Sequence, residues 1–383
     1  MAQDKRIGII YNYNENWIGG TYYIQNLIRS LYYLPDKERI KLYILTHNQV
    51  LFQELKESTQ YPKLKFVPYP SQYNKWEVIV NRVAAKILKK KIIIKKIRLD
   101  WVFPLYSVPN SLQHIKDLVF WIPDLQEKYL PNFFSTEDVV NRNHCCENMI
   151  ALHHPIVFSS QAALVDFETF YPDSKNQKHV ISFAVLHPDL SGISINNVKE
   201  KYSIEGEYFF SPNQFWQHKN HIALIEATKI LKENGKAVKI IFTGKEQDYR
   251  NPDYANNLKQ KVAEYGLESD IIFLGFIDRI DQLVLMKNAL AVIQPSLFEG
   301  WSTVVEDAKA LNQTLIVSNI KVHKEQLNDK AYFFEPNDYN DLASRIVEVL
   351  ESPTNKLQYD LDYKENILKF ALNFKQLINR TQH

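Results

Sequence analysis

Short apolar runs alternate with longer stretches in which apolar residues recur at helical spacing, and this rhythm holds over most of the chain. Ile7–Tyr11, Ile40–Leu45, Leu64–Val67, Trp101–Leu105, Leu118–Ile122 and Ile156–Ser159 read as buried strands, while Ile24, Leu27, Ile28 and Leu31 trace one helix face. The rhythm restarts at Glu207–Ser211, with further strands expected at 238–243, 270–274, 289–294 and 314–318 and helices between them. One of those helices is clear: Ile222, Ile225, Thr228 and Leu231 share a face, and Asn234-Gly235 ends it. Strands alternating with helices imply parallel sheets covered on both faces. Residues 187–206, HPDLSGISINNVKEKYSIEG, interrupt the rhythm with polar residues, Pro and Gly, and read as a linker. The pattern predicts an α/β protein of two doubly wound, Rossmann-like domains facing across a cleft. The expected boundaries are 1–190 for the N-terminal domain, 191–206 for the linker and 207–355 for the C-terminal domain. Residues 356–383 form a helix expected to pack back toward the N-terminal domain.

Composition narrows this picture. The chain has 383 residues, enough for two domains. With 45% hydrophobic and 23% charged residues it is globular rather than disordered. A net charge of +2 gives no global argument for nucleic acid. The two cysteines, Cys145 and Cys146, are adjacent and fit neither a disulfide framework nor metal-ligand spacing. They read as buried thiols in a reducing, cytoplasmic setting. The N-terminus runs straight into the first strand without a signal-peptide core, and no run is apolar enough to span a membrane. One local exception to the mild charge lies between Lys75 and Arg98. Nine basic residues there face one acid, Glu77, with Trp76, Ile79, Val83 and Ile87 interleaved. Such a segment is either a peripheral contact with the inner face of an anionic membrane or a solvated face over the core.

The candidate chemistry is concentrated in residues 295–319, PSLFEGWSTVVEDAKALNQTLIVSN. Glu299 and Gly300 fall at the carboxyl end of a predicted strand, the place where open parallel sheets bind ligands. Gly300 permits close backbone approach, and the N–H groups of Ser302, Thr303 and Val304 open a helix suited to phosphate. A carboxylate beside a phosphate site makes sense as an acceptor for sugar hydroxyls. Thr303 and Glu306 have the spacing of a capping box, which makes Glu306 structural and leaves Asp307 for a ligand.

EGWSTVVEDAKAL resembles the Glu-x7-Glu signature of the retaining family-four glycosyltransferases, which have the two-domain GT-B fold. WIGGTYY, SPNQFWQHKNH and FTG followed by IIFLGF agree with it in order, over about residues 5–350. The resemblance implies that Glu299 holds the donor sugar's hydroxyls, Asp307 the ribose and Lys219 the donor diphosphate. Gly19 and Gly20 would let the first loop approach the donor, and backbone at Gly275, Phe276 and Ile277 would meet the base. It implies a nucleotide-diphosphate sugar donor, a sugar or lipid-linked acceptor, no cofactor, no metal and no nucleic acid. Four positions depart from the family's pattern. Asp307 stands where Glu is usual, and Gln214 stands where an arginine often precedes the lysine by five residues. Asp124 is the nearest polar residue where many members carry a histidine, and Asn312 replaces a glycine after the signature helix.

Other residues admit plainer readings. His218 and His221 lack a third metal ligand nearby, Ser160-Gln161 reads as a loop and cap, and Asp360-Leu-Asp362 lies in a polar tail rather than at a strand end. The reading is a retaining hexosyltransferase that needs no metal and serves surface polysaccharide or glycolipid synthesis, acting by positioning and electrostatics. The rivals are a GT-B epimerase or phosphorylase and a non-catalytic nucleotide-sugar-binding protein.

Overall fold

The computed structural model describes residues 5–13, 18–71, 73–352 and 363–381. Trp17 of the WIGGTYY stretch and Asp360-Leu-Asp362 lie outside them. The first half carries strands β1 (Ile7–Ile10), β2 (Leu42–Thr46), β3 (Leu64–Pro68), β4 (Trp101–Leu105), β5 (Asp117–Ile122), β6 (Ile156–Phe158) and β7 (Lys178–Val180). Its helices are α1 (Ile18–Ser30), α2 (Gln49–Thr59), α3 (Lys75–Leu88), α4 (Gln126–Tyr129), α5 (Thr136–Ala151) and α6 (Gln161–Phe170). After α7 (Ile195–Lys201), the second half alternates β8 (Phe209–Pro212), α8 (His221–Glu233), β9 (Ile240–Thr243), α9 (Tyr254–Glu264), β10 (Ile271–Phe273) and α10 (Arg279–Lys287). It continues with β11 (Val292–Gln294), α11 (Thr303–Ala310), β12 (Leu315–Ser318), α12 (Lys321–Leu327), β13 (Tyr332–Phe334) and α13 (Tyr339–Glu351). Helix α14 (Tyr363–Arg380) follows.

Among the described residues the strands form two sheets, ordered β3-β2-β1-β4-β5-β6-β7 and β10-β9-β8-β11-β12-β13. All pairings are parallel. Burial on both faces explains the sequence: β5 and β11 are buried at every position, so neither shows a polar alternation. Strand order reverses between β1 and β4 in the first sheet and between β8 and β11 in the second. A reversal leaves a crevice outside the carboxyl ends of the two strands. The two crevices face one another.

Two segments differ from expectation. The latter part of the expected linker folds as α7, whose Val198 packs with Ile204 and Tyr208 into the core of the second domain. Lys201 and Tyr202 both bond Asp281 of α10, at 2.6 and 2.8 Å, which fixes this helix to the second domain. Of the two cysteines, Cys146 is buried and Cys145 exposed, because one faces the core from α5 and its neighbour on the helix cannot. Helix α14 places Ile367, Phe370, Phe374, Leu377 and Ile378 among Tyr23, Leu27, Leu31, Trp101 and Phe103 of the first domain. Trp101 Nε1–H donates to Thr381 Oγ1 at 2.8 Å, and Lys375 pairs with Glu38 at 2.7 Å.

Candidate active site

The cleft between the domains is lined by Gly19, Tyr22, Tyr23, Trp121 and Asp124 on one side. Gln214, Lys219, Lys245, Phe276, Ile277, Glu299, Gly300, Thr303, Val304 and Asp307 line the other. Glu299 and Lys219 follow β11 and β8, the two strands that flank the reversal of the second sheet. The loops that carry them are tied together. Leu297 N–H donates to the His218 carbonyl at 2.8 Å, and the Asn220 amide donates to the Pro295 and Pro336 carbonyls. Asn220, at φ +57°, makes the turn between the short helical turn Gln217–Lys219 and α8, a conformation asparagine tolerates.

Glu299 is held at one oxygen. Its Oε1 accepts from Lys219 Nζ at 2.5 Å, Ser296 Oγ at 2.7 Å and Gln294 Nε2 at 2.8 Å. Burial would raise the carboxyl, but the charge and hydrogen bond of Lys219 outweigh it and hold Glu299 at about 2. The group is therefore a carboxylate at neutral pH, and Lys219 already carries a counter-charge. Three buried histidines lie on the same side of the cleft. Burial pushes His218 well below its ordinary value, His221 to about 3 and His323 to about 4, so all are neutral. His221 stacks flat on Phe215, with ring centroids 4.4 Å apart, and behaves as a core aromatic.

The signature helix departs from expectation at its start. Ser302, not Thr303, is the N-cap of α11, and its hydroxyl accepts from Val305 N–H. The expected capping box is absent because the helix begins one residue earlier than the box requires. The Ser302 N–H is not available to a ligand, since it donates to Gln326 Oε1 at 3.0 Å. Thr303 and Val304 keep their positions in the cleft wall. Glu306 is structural by other bonds. It accepts from Lys309, Gln326 and Tyr363 at 2.9, 3.1 and 2.6 Å. Asp307 is 1% exposed, and its Oδ1 accepts from Arg279 at 2.6 Å and lies 2.8 Å from His187 Nε2. Burial raises this carboxyl, and Arg279 and His187 more than reverse that.

Gly300 meets protein as well as open cleft. A Cβ at this position would lie 2.3 Å from the Pro123 carbonyl oxygen and 3.0 Å from the Asp124 Cβ, both in the first domain. The close approach that requires glycine is thus between the two walls. Trp301 Nε1–H reinforces it by donating to the Phe183 carbonyl at 3.0 Å. Asp124 lines the cleft after β5, with Oδ1 bound to Arg142 at 2.7 Å and to Gln126 N–H at 3.2 Å. Gly19 and Gly20 belong to the first turn of α1 rather than to a loop, and Gly19 lines the cleft while Gly20 is buried. Gly275, at φ +65°, turns the chain so that Phe276 projects into the cleft at 69% exposure with Ile277 beneath it. Ser160 caps α6 through Ala163 N–H, and Gln161 and Ala162 N–H donate to Glu325 of the second domain.

Arg279, His187, Lys245 and Arg142 were not singled out from the sequence. None of them belongs to a motif, and only the fold brings each to the cleft or to an acid there.

The comparisons agree with this geometry. The model of the family described as Glycosyl transferases group 1 matches residues 194–368. The chain is 26% identical over 305 residues to the O-antigen chain mannosyltransferase RfbU of Salmonella typhimurium, covering 68% of this chain and 82% of that one. It is 29% identical over 168 residues to the serotype-specific mannosyltransferase WbdA of Escherichia coli, covering 43% of this chain and 20% of that longer one. Among solved structures, a glycosyltransferase from Rickettsia africae superposes with TM-score 0.67 at 16% identity over 98% of both chains. Anabaena HepE in complex with UDP and glucose superposes with TM-score 0.65 at 16% identity, over 98% of this chain and 99% of that one. The chain has the GT-B fold, and its residues 194–368 match the group 1 glycosyl transferases.

Proposed function

We propose that this chain is a retaining hexosyltransferase that moves a sugar from a nucleotide-diphosphate donor to a hydroxyl acceptor in surface polysaccharide or glycolipid synthesis. The observation that carries the reading is the Lys219–Glu299 pair at the strand reversal of the second sheet, facing the first domain across the cleft. The second domain binds the donor and the first the acceptor. Glu299, ionised and fixed through one oxygen, accepts hydrogen bonds from the donor sugar. Lys219 exchanges its carboxylate for the diphosphate as charge builds on the leaving group, helped by the N–H groups at Thr303 and Val304. Phe276 and Ile277 present an apolar edge to the base. Asp124, steadied by Arg142, faces the acceptor side.

Asp307 serves the ribose less directly than its place in the motif implies, because Arg279 and His187 share its Oδ1. It holds Arg279 at the nucleotide end of the cleft. The exposed face of α3 serves a peripheral contact with the inner face of an anionic membrane. Trp76, Ile79, Val83 and Ile87 are all at least half exposed there beside Arg82, Lys86 and Lys89. That suits a lipid-linked acceptor.

RfbU and WbdA are mannosyltransferases by name, so a nucleotide-diphosphate mannose is the first donor to try. Release of nucleoside diphosphate from that donor by the purified chain should continue with a chelator present. It should fall about 100-fold or more in Glu299→Gln, with diphosphate binding retained. Activity lost to chelator and restored by magnesium or manganese would overturn the account of the leaving group. A variant as fast as the parent would remove Glu299 from the site.

A further inference from the structure

We infer that Gln294 is a positioning residue, which with Ser296 keeps the Glu299 carboxylate in place when Lys219 turns to the diphosphate; this rests on the donor reading above. Gln294 ends β11, between β8 and β12 in the middle of the second sheet, and is fully buried like Ala291, Val292 and Ile293 before it. A strand covered on both faces asks for an apolar residue there. The amide instead spends Nε2 on the acid and its loop, donating to Ser296 Oγ at 2.9 Å and to Glu299 Oε1 at 2.8 Å. Its own Oε1 is left buried without a partner, which costs stability. Turning the amide over would set that oxygen against a carboxylate, so the costly orientation is the one that holds Glu299.

Ser296 completes the hold. Its hydroxyl accepts from Gln294 and donates in turn to Glu299 Oε1 at 2.7 Å, and such chains strengthen each link. Its carbonyl accepts from Ser318 Oγ at 2.5 Å, which ties the loop to β12. Three donors thus meet on Oε1, and none of them uses Oε2. They differ in where they sit. Lys219 lines the cleft beside Glu299, on a flexible arm from the loop after β8, whereas Gln294 and Ser296 lie behind the wall. A diphosphate can draw the ammonium away but cannot reach the other two. A buried carboxylate stripped of its counter-charge would take up a proton or shift. The two neutral donors prevent that, because they belong to the same strand and loop as the acid. Oε2 then stays open to the donor sugar while Lys219 serves the leaving group.

The test pairs turnover with melting temperature in the full chain. Gln294→Met keeps an unbranched side chain of similar length and loses the donors. Release of nucleoside diphosphate from a nucleotide-diphosphate mannose should fall about tenfold or more in kcat, with KM and the affinity for GDP or UDP kept. The melting temperature should stay within about 2 °C of the parent's, since the unpaired oxygen goes as well. Parental turnover, or a loss shared by diphosphate affinity and melting temperature, would overturn the assignment. A second arm needs no donor. Lys219→Met imitates the departed ammonium, and its fall in melting temperature should be larger by about 2 °C or more in the Gln294→Met background than in the parent. Additive shifts would overturn the hand-over from Lys219. A parent protein that binds and releases neither GDP nor UDP would remove the donor reading, while the melting arm would still decide whether Gln294 holds Glu299.

Discussion

The two walls of the cleft are made of different chemistry. The second domain contributes buried charge arranged in pairs, Lys219 with Glu299 and Arg279 with Asp307, at the ends of strands and the starts of helices. The first domain contributes mostly aromatic side chains, the inner ones packed into its core. Tyr23 stacks on Trp121 at 4.3 Å, Tyr22 lies under the Arg279 guanidinium at 5.3 Å, and Asp124 is bound to Arg142. Charge set in place before a ligand arrives spares the reorganisation that water would require. Aromatic surface selects by shape and area and tolerates variety. One wall is thus suited to a fixed, highly charged partner and the other to a neutral one. The contact between the walls is narrow at Gly300, where one hydrogen atom separates the second domain from Pro123.

Breaking that contact should have the largest effect. Gly300→Ala puts a methyl 2.3 Å from a backbone oxygen, so one wall has to move away from the other. Misplacement of about 1 Å at a reacting centre costs on the order of 100-fold, and turnover should fall by about that factor. Nucleoside diphosphate affinity should be kept, because the second wall is untouched. A variant with parental turnover would show that the walls need not meet at Gly300.

A second test sharpens the difference by pH. His221 and His323 are held at about 3 and about 4, against an ordinary 6.5, and both belong to the second domain. A depressed folded-state pKa means that unfolding takes up a proton once the pH falls below the ordinary value. The stability they contribute is therefore complete above pH 6.5 and is lost as pH falls toward 4 and 3. Between pH 6.5 and pH 5 each should cost about 2 kcal/mol. Glu299, held at about 2, stays ionised throughout and adds nothing in this window. Peptide-resolved hydrogen exchange, corrected for its intrinsic pH dependence, should show the second domain loosening first. Equal loosening of both domains would contradict this.

The smallest effect on catalysis belongs to the first domain's outer face. Replacing Lys89, Lys90 and Lys91 with Gln should abolish co-sedimentation with anionic vesicles at low salt, while turnover on a soluble acceptor changes little. Parental protein that stays in the supernatant would return α3 to an ordinary solvated helix.

Much of this architecture was legible in the chain. Runs such as Leu118–Ile122 and 289–294 announced buried parallel strands by lacking any polar alternation. Strands β7 and β13 were missed, since each has three residues and β7 is only half-buried throughout. Glu299 stood out because a strand end has no folding need for an acid. The partners of the acids did not stand out. Arg279 is 28 positions from Asp307 and His187 is 120, and spacing carries no signal at that range. Gly300 was visible as a glycine, but its reason, a carbonyl in the other domain, depends on how two domains meet.

Helix α14 has a consequence for synthesis on the ribosome. Its Phe370 and Phe374 close the core around Tyr23 and Trp101, so the first sheet emerges long before the helix that covers it. At roughly 5–20 residues per second, the first domain waits some tens of seconds with that apolar face uncovered. Meanwhile the second domain, whose core is drawn from residues 198–349, can close without the last helix. The order of completion is therefore the reverse of the order of translation. A nascent chain stalled before residue 363 should show a protease-resistant second domain and a sensitive first one. Resistance in both would mean that the first sheet does not depend on its final helix.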